Sequence, residues 1–136
     1  FKIAPATNLL QPTVMPSLCI NTRDELLMFD LDNALCFTSD GNYTLMTLTD
    51  GKKVMIAVGL GSIEKMVAQS YAEGRKSPFV RLGRKVIVNT RYLFRINIPR
   101  QTLSLSVPGL PVVNVEVPKA LLREYKDLLA NGFNNQ

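Results

Sequence analysis

Phe79-Val80-Arg81-Leu82-Gly83-Arg84-Lys85-Val86-Ile87-Val88-Asn89 is a basic turn held between two apolar segments. The flanks carry Val, Ile and Phe, which suit a pleated surface, and Gly83-Arg84-Lys85 interrupts them. An Arg in a rigid turn can make a bidentate contact to guanine O6 and N7, and a Lys beside it can hold a phosphate. A second polar turn, Ser39-Asp40-Gly41-Asn42-Tyr43-Thr44, ends in an aromatic residue. Asn and Tyr on such a turn can reach a phosphate or a base edge. The competing reading is that Tyr43 packs on the sheet and Arg84 is an ordinary surface cation.

Outward from these turns, the chain reads as short strands with two helices. Glu25 to Phe29 leads through a turn at Asp32-Asn33 into Ala34-Leu35-Cys36-Phe37. Tyr43 to Leu48 and Lys53 to Val58 form a hairpin around Asp50-Gly51. A helix is predicted from Ser62 as N-cap, with Glu64 in its first turn and Ile63, Met66, Val67 and Tyr71 on one face, until Gly74 ends it. Tyr92 to Ile98 and Thr102 to Val107 make a second hairpin around Pro99-Arg100-Gln101, and Val113 to Val117 follows the Pro108-Gly109 turn. Pro118 is placed at the first position of a closing helix whose stripe is Leu121, Leu122, Tyr125, Leu128 and Leu129, with Gly132 as its stop. The fold class is therefore α+β, mainly β. Residues 1–17, with Pro5, Pro12 and Pro16, read as an extended arm or linker, 18–130 as the domain and 131–136 as a frayed tail.

At 136 residues the chain suits one domain, large enough to bury roughly two-thirds of the surface its unfolded form exposes. No apolar run approaches the ~18 residues a membrane span requires, and a cytoplasmic location is expected. The absence of His removes Ser-His-Asp and Cys-His catalysis and His-based metal sites. Cys19 and Cys36 form no CxxC and read as core fillers. No enzyme activity and no cofactor are expected. The charge is uneven: residues 1–73 hold five Lys+Arg against eight Asp+Glu, and residues 74–136 hold eleven against three. Between Gly74 and Val115 stand Arg75, Lys76, Arg81, Arg84, Lys85, Arg91, Arg95 and Arg100 with no acid among them, so an anionic partner is expected.

Three weaker patterns have plainer explanations. Gly59-Leu60-Gly61 resembles the start of a dinucleotide fingerprint, but Glu64 stands where its third glycine should be, and shaping the helix start is the better role. Asp30, Asp32 and Asn33 lack the ligand spacing of a calcium loop and suit turn capping. Arg91 and Arg95 resemble half of a PilZ cyclic-dinucleotide signature without its downstream Gly, and a strand would put both on one face anyway.

The two turns together resemble the LytTR family of bacterial DNA-binding domains. Asp40-Gly41-Asn42-Tyr43-Thr44 matches the family's polar turn before Asn-Tyr, and Arg81 through Asn89 matches its Arg, basic turn and apolar strand ending in Val-Asn. The resemblance spans roughly residues 18–130, with the helices and later strands in family order. It implies an elongated arrangement of small antiparallel sheets with one mid-chain and one C-terminal helix, whose loops enter the major groove of double-stranded DNA to regulate transcription. Carried over, Asn42 and Tyr43 match the first contact loop and Arg84 with Lys85 the second. Pro118-Lys119 stands where the family has Ser-Arg. Gly83 replaces the usual His, and Lys85 the usual Ser. On this reading Arg84 reads a base edge, Asn42 and Tyr43 read or position from the adjacent loop, and Lys85, Lys119 and Arg81 hold phosphates. Two copies on direct-repeat sites are a further implication. Many family members carry an N-terminal receiver domain. The start at Phe1 without a Met is expected to mark a processed product, either a stand-alone domain or one whose regulatory part lies upstream. An alternative is a ligand- or protein-binding regulatory module that keeps the fold without DNA readout.

Overall fold

The computed structural model describes residues 16–71 and 74–134. Among these residues ten strands and two α-helices follow one another in the order β1 (Ser17–Asn21), β2 (Leu26–Asp30), β3 (Ala34–Asp40), β4 (Tyr43–Leu48), β5 (Lys53–Ile56), α1 (Leu60–Ser70), β6 (Phe79–Leu82), β7 (Val86–Asn89), β8 (Leu93–Asn97), β9 (Thr102–Leu105), β10 (Val113–Glu116) and α2 (Lys119–Asn134). They make three antiparallel sheets: β1-β2, the five-stranded β5-β4-β3-β7-β6, and β10-β9-β8.

The five-stranded sheet is the middle layer, and its two faces bury different cores. On one face Phe37, Met46, Ile56 and Ile87 meet Leu60, Ile63 and Val67 of α1 and Leu18 and Ile20 of β1. On the other, Leu35, Cys36, Val86 and Val88 meet Leu103, Leu105 and Val115 of the three-stranded sheet and Leu122 and Tyr125 of α2. The β3–β4 pairing shifts between Ala34 and Cys36. At that bulge the consecutive Leu35 and Cys36 serve one core, while Ala34 and Phe37 serve the other. Each fully buried Leu, Ile or Phe contributes roughly 1.5–3 kcal/mol of transfer free energy, so both faces hold the sheet strongly.

Several element boundaries differ from those read in the sequence. The segment reading as an arm to residue 17 has its first 15 residues outside the described ones, but Ser17 already opens β1, a strand the sequence reading lacks. There Leu18 and Ile20 are buried while Cys19 is exposed, so Cys19 is no core filler; Cys36 is buried, and both are free thiols. Helix α1 begins at Leu60, two residues before the expected Ser62, because Leu60 is buried and the Gly59 carbonyl accepts from the Ser62 and Ile63 amides. It closes at Ser70, and Tyr71 turns to extended backbone to pack near Phe79 with ring centroids 6.5 Å apart. Helix α2 begins at Lys119, with the Pro118 carbonyl accepting from Leu122 N, so Pro118 precedes the helix. It runs through Gly132 to Asn134. Leu128 is 68% exposed at the margin of the expected stripe.

Candidate nucleic-acid interface

Strand register decides where the two turns go. β3 and β7 are antiparallel neighbours with Thr38 opposite Val86, and Ser39 N donates to the Lys85 carbonyl at 2.8 Å. The Gly41-Asn42 turn after β3 and the Gly83-Arg84-Lys85 turn before β7 therefore emerge at the same end of the sheet. β5 returns with Ile56 opposite Thr44, and Thr44 Oγ1 donates to the Val58 carbonyl at 2.7 Å. That brings the start of α1 to this end as well.

The β10–α2 junction joins them. Val117 N donates to the Gln101 carbonyl at 2.9 Å, tying the junction to the β8–β9 turn. Gly83, Arg84 and Lys85 form one side of a cleft of about 550 Å³, with Gln101, Glu116, Pro118 and Leu121 on the other. The two sides touch at Gly83. Its φ of +74° is the left-handed region, and a Cβ there would lie 2.8 Å from Leu121 Cδ1. Glycine at this position both makes the turn and lets α2 approach it.

Asn42, Arg84, Lys85 and Lys119 are exposed, and Tyr43 keeps 51% of its surface in solvent. Among the described residues, carboxylates lie within 4 Å of Lys52, Arg81, Arg91 and Lys126, and of no other cation. Arg84, Lys85 and Lys119 thus stand at one end of the molecule with no described carboxylate within 4 Å, while Glu116 lines the same cleft. Arg81 is placed differently from these three. Its Nη1 donates to Glu64 Oε1 at 2.8 Å, Nε to the Gly83 carbonyl at 3.1 Å and Nη2 to the Arg84 carbonyl at 3.4 Å.

Asn89, the last residue of the basic-turn stretch, is fully buried. Its Nδ2 donates to the Ala34 carbonyl at 2.9 Å and its Oδ1 accepts from Arg91 N at 3.1 Å, so it pins β7 to β3 and starts the next short 3-10 turn. Arg91 lies in that turn and pairs with Asp32 at 2.8 Å, whereas Arg95 is in β8 with its guanidinium 5.8 Å from the Phe94 ring centroid. The two do not share one strand face, contrary to the sequence reading. Asp30 accepts from Ser17 Oγ at 3.0 Å, and among the described residues no cluster of His, Cys, Asp or Glu is placed to hold a metal.

The sequence reading left two participants out of this end of the molecule. Gln101 adopts φ +56° without being Gly, which no residue-type rule announces. Glu64 read as a helix-start carboxylate, and its Arg81 partner lies 17 residues further on.

No family model matches the chain, and no curated protein matches it. Among solved structures, a LytTr DNA-binding domain from Bacillus cereus is similar, with a TM-score of 0.56 over 85% of this chain and 98% of that one, at 17% identity. The likeness is one of fold, which in this chain is a β-rich α+β arrangement with two α-helices among the described residues. No helix among the described residues is long and apolar enough to cross a membrane.

Proposed function

We propose that this LytTr-like fold binds double-stranded DNA in a sequence-specific way, through turns that enter the major groove, and acts in transcriptional regulation in the cytoplasm. One observation carries the reading. Three separate segments, the β3–β4 turn, the β6–β7 turn and the start of α2, reach one end of the molecule, where Arg84, Lys85 and Lys119 have no carboxylate within 4 Å among the described residues. A surface that gathers cations without pairing them directly is suited to a polyanion. Arg84, at the tip of a turn held on both sides, is the candidate for a base edge, since a guanidinium fork matches guanine O6 and N7. Asn42 and Tyr43 reach the same partner from the neighbouring turn. Lys85 and Lys119 hold phosphates, and two copies on a direct repeat would double the footprint.

Fluorescence-anisotropy titration of a random-site duplex library at about 50 and 200 mM salt, followed by sequencing of the bound fraction, tests this. Steep salt dependence with an enriched motif is the expected result. Salt-dependent binding without enrichment would leave a basic surface alone, and no binding at low salt would overturn the reading. The cleft beside the β6–β7 turn favours a second reading, a ligand-binding module that keeps the fold without DNA readout. Its volume of about 550 Å³ falls in the range of small-molecule pockets. That reading requires saturable ligand binding in a chain that ignores duplex DNA.

A further inference from the structure

We propose that Glu64 and Arg81 form a positioning clamp that sets the backbone of the Gly83-Arg84-Lys85 turn, and that Arg81 acts through this turn and not on a phosphate. The DNA-binding part of this inference rests on the function proposed above. Arg81 sits on β6 one residue before Leu82, and its guanidinium curls back over the turn that follows. Nε and Nη2 donate to the carbonyls of Gly83 and Arg84, at 3.1 and 3.4 Å, while Nη1 is held by Glu64 of α1 at 2.8 Å. Three donors in fixed directions serve three acceptors. A planar guanidinium can do this, whereas a lysine ammonium, a point charge on a flexible stem, cannot hold the same fork. The side chain of Arg81 is only 26% exposed, against 51% for Glu64. From the opposite side Leu121 of α2 closes on Gly83, its Cδ1 only 2.8 Å from where a Cβ would stand. The turn is thus gripped between the two helices, and the residue best placed to read a base is carried on a fixed backbone.

The clamp carries a sign that simple electrostatics reverses. Glu64 is a partly exposed carboxylate next to a surface meant for a polyanion, so deleting its charge should by itself tighten DNA binding. Positioning requires the opposite, because without Glu64 the guanidinium loses its anchor on α1. Arg81→Lys offers a second contrast: it keeps the charge a phosphate contact needs and removes the fork a clamp needs.

The experiment compares Glu64→Gln and Arg81→Lys with the unaltered chain, after thermal melts show both variants folded. Anisotropy titrations use a labelled mixed-sequence duplex and any enriched duplex, over a salt series. Amide hydrogen exchange of the free proteins follows Arg84 and Lys85, with Thr44 to Leu48 as the internal control. The clamp is expected to show as weaker binding in both variants, roughly two- to tenfold, the span of one net hydrogen bond. The salt slope should stay unchanged, and exchange should be faster at the turn only. Equal or tighter binding by Glu64→Gln overturns it, as does a salt slope lowered by about one in Arg81→Lys, the mark of a lost phosphate contact. If the unaltered chain binds neither duplex, the DNA reading falls while exchange still decides the clamp. Faster exchange at the turn in both variants then supports it, and unchanged exchange overturns it.

Discussion

At Gly83 a backbone demand and a packing demand coincide, since φ is +74° and the nearest Leu121 carbon would stand 2.8 Å from any Cβ. Gly83→Ala is expected to destabilise the protein by about 1–3 kcal/mol, through strain and displacement of Leu121, as measured by urea unfolding. The neighbouring cations face no such constraint, because Arg84 and Lys85 are exposed and partnerless among the described carboxylates. Their substitutions should leave stability alone and separate in binding. Arg84→Ala is expected to cost about 1–3 kcal/mol of DNA affinity and relax preference at one base pair; unchanged affinity and preference would show that another residue reads the base. Lys85→Ala should weaken all sequences alike and lower the salt slope by about one. The residue types of this turn were readable in the sequence as a basic tip. The reason for glycine at its first position was not, because it depends on a helix that begins 36 residues later.

Individual elements show where local pattern suffices and where it fails. The β4–β5 hairpin and the 83–85 turn follow from turn residues flanked by apolar runs, and both lie where expected. β1 was hidden because Cys19, an apolar-looking residue on the exposed face, blurs the alternation of Leu18 and Ile20. Helix starts moved for tertiary reasons: Leu60 gains a core contact that lengthens α1 at its beginning. Asn89 joins elements through its side chain alone, bridging β7, β3 and the 3-10 turn while fully buried. Asn89→Ala leaves the Ala34 carbonyl and the Arg91 amide without these partners, and should cost about 1–3 kcal/mol in chemical denaturation. A loss below that range would mean that neither bond matters to folding. Because β7 begins at the Gly83-Arg84-Lys85 turn, to which the proposed function assigns base reading, the same variant should also weaken DNA binding.

Across the whole molecule, one sheet separates two cores, and groups buried against them shape the response to alkali. Burial pushes the Cys36 thiol above its ordinary 9.0, against a smaller opposing hydrogen bond from Thr47 and the charge of Lys53. Burial likewise raises Tyr125 above 10.0. Both groups stay neutral in the folded chain at pH values where the unfolded chain has already lost its protons. The stability they contribute is complete below the ordinary values and falls as pH rises through the raised ones. The melting temperature is therefore expected to drop between about pH 8 and pH 11, and Cys36→Ala should flatten the earliest part of that drop. An identical pH profile in the variant would assign the fall elsewhere. No comparable account was available from composition, because Cys36 and Cys19 look alike in sequence and only the first is enclosed.

Turn chemistry, hydrophobic period and charge distribution act over a few residues, and these the sequence by itself determined: a mainly β chain with two helices, two polar turns and a positive second half. The tertiary structure alone decided which turns share an end, which cations remain free and which is drawn inward. Those outcomes depend on strand order and register, such as Thr38 opposite Val86, and on approaches such as Leu121 to Gly83. They join segments far apart in the chain through backbone hydrogen bonds and packing that any residue of suitable size can make. A single sequence therefore carries no local mark of them.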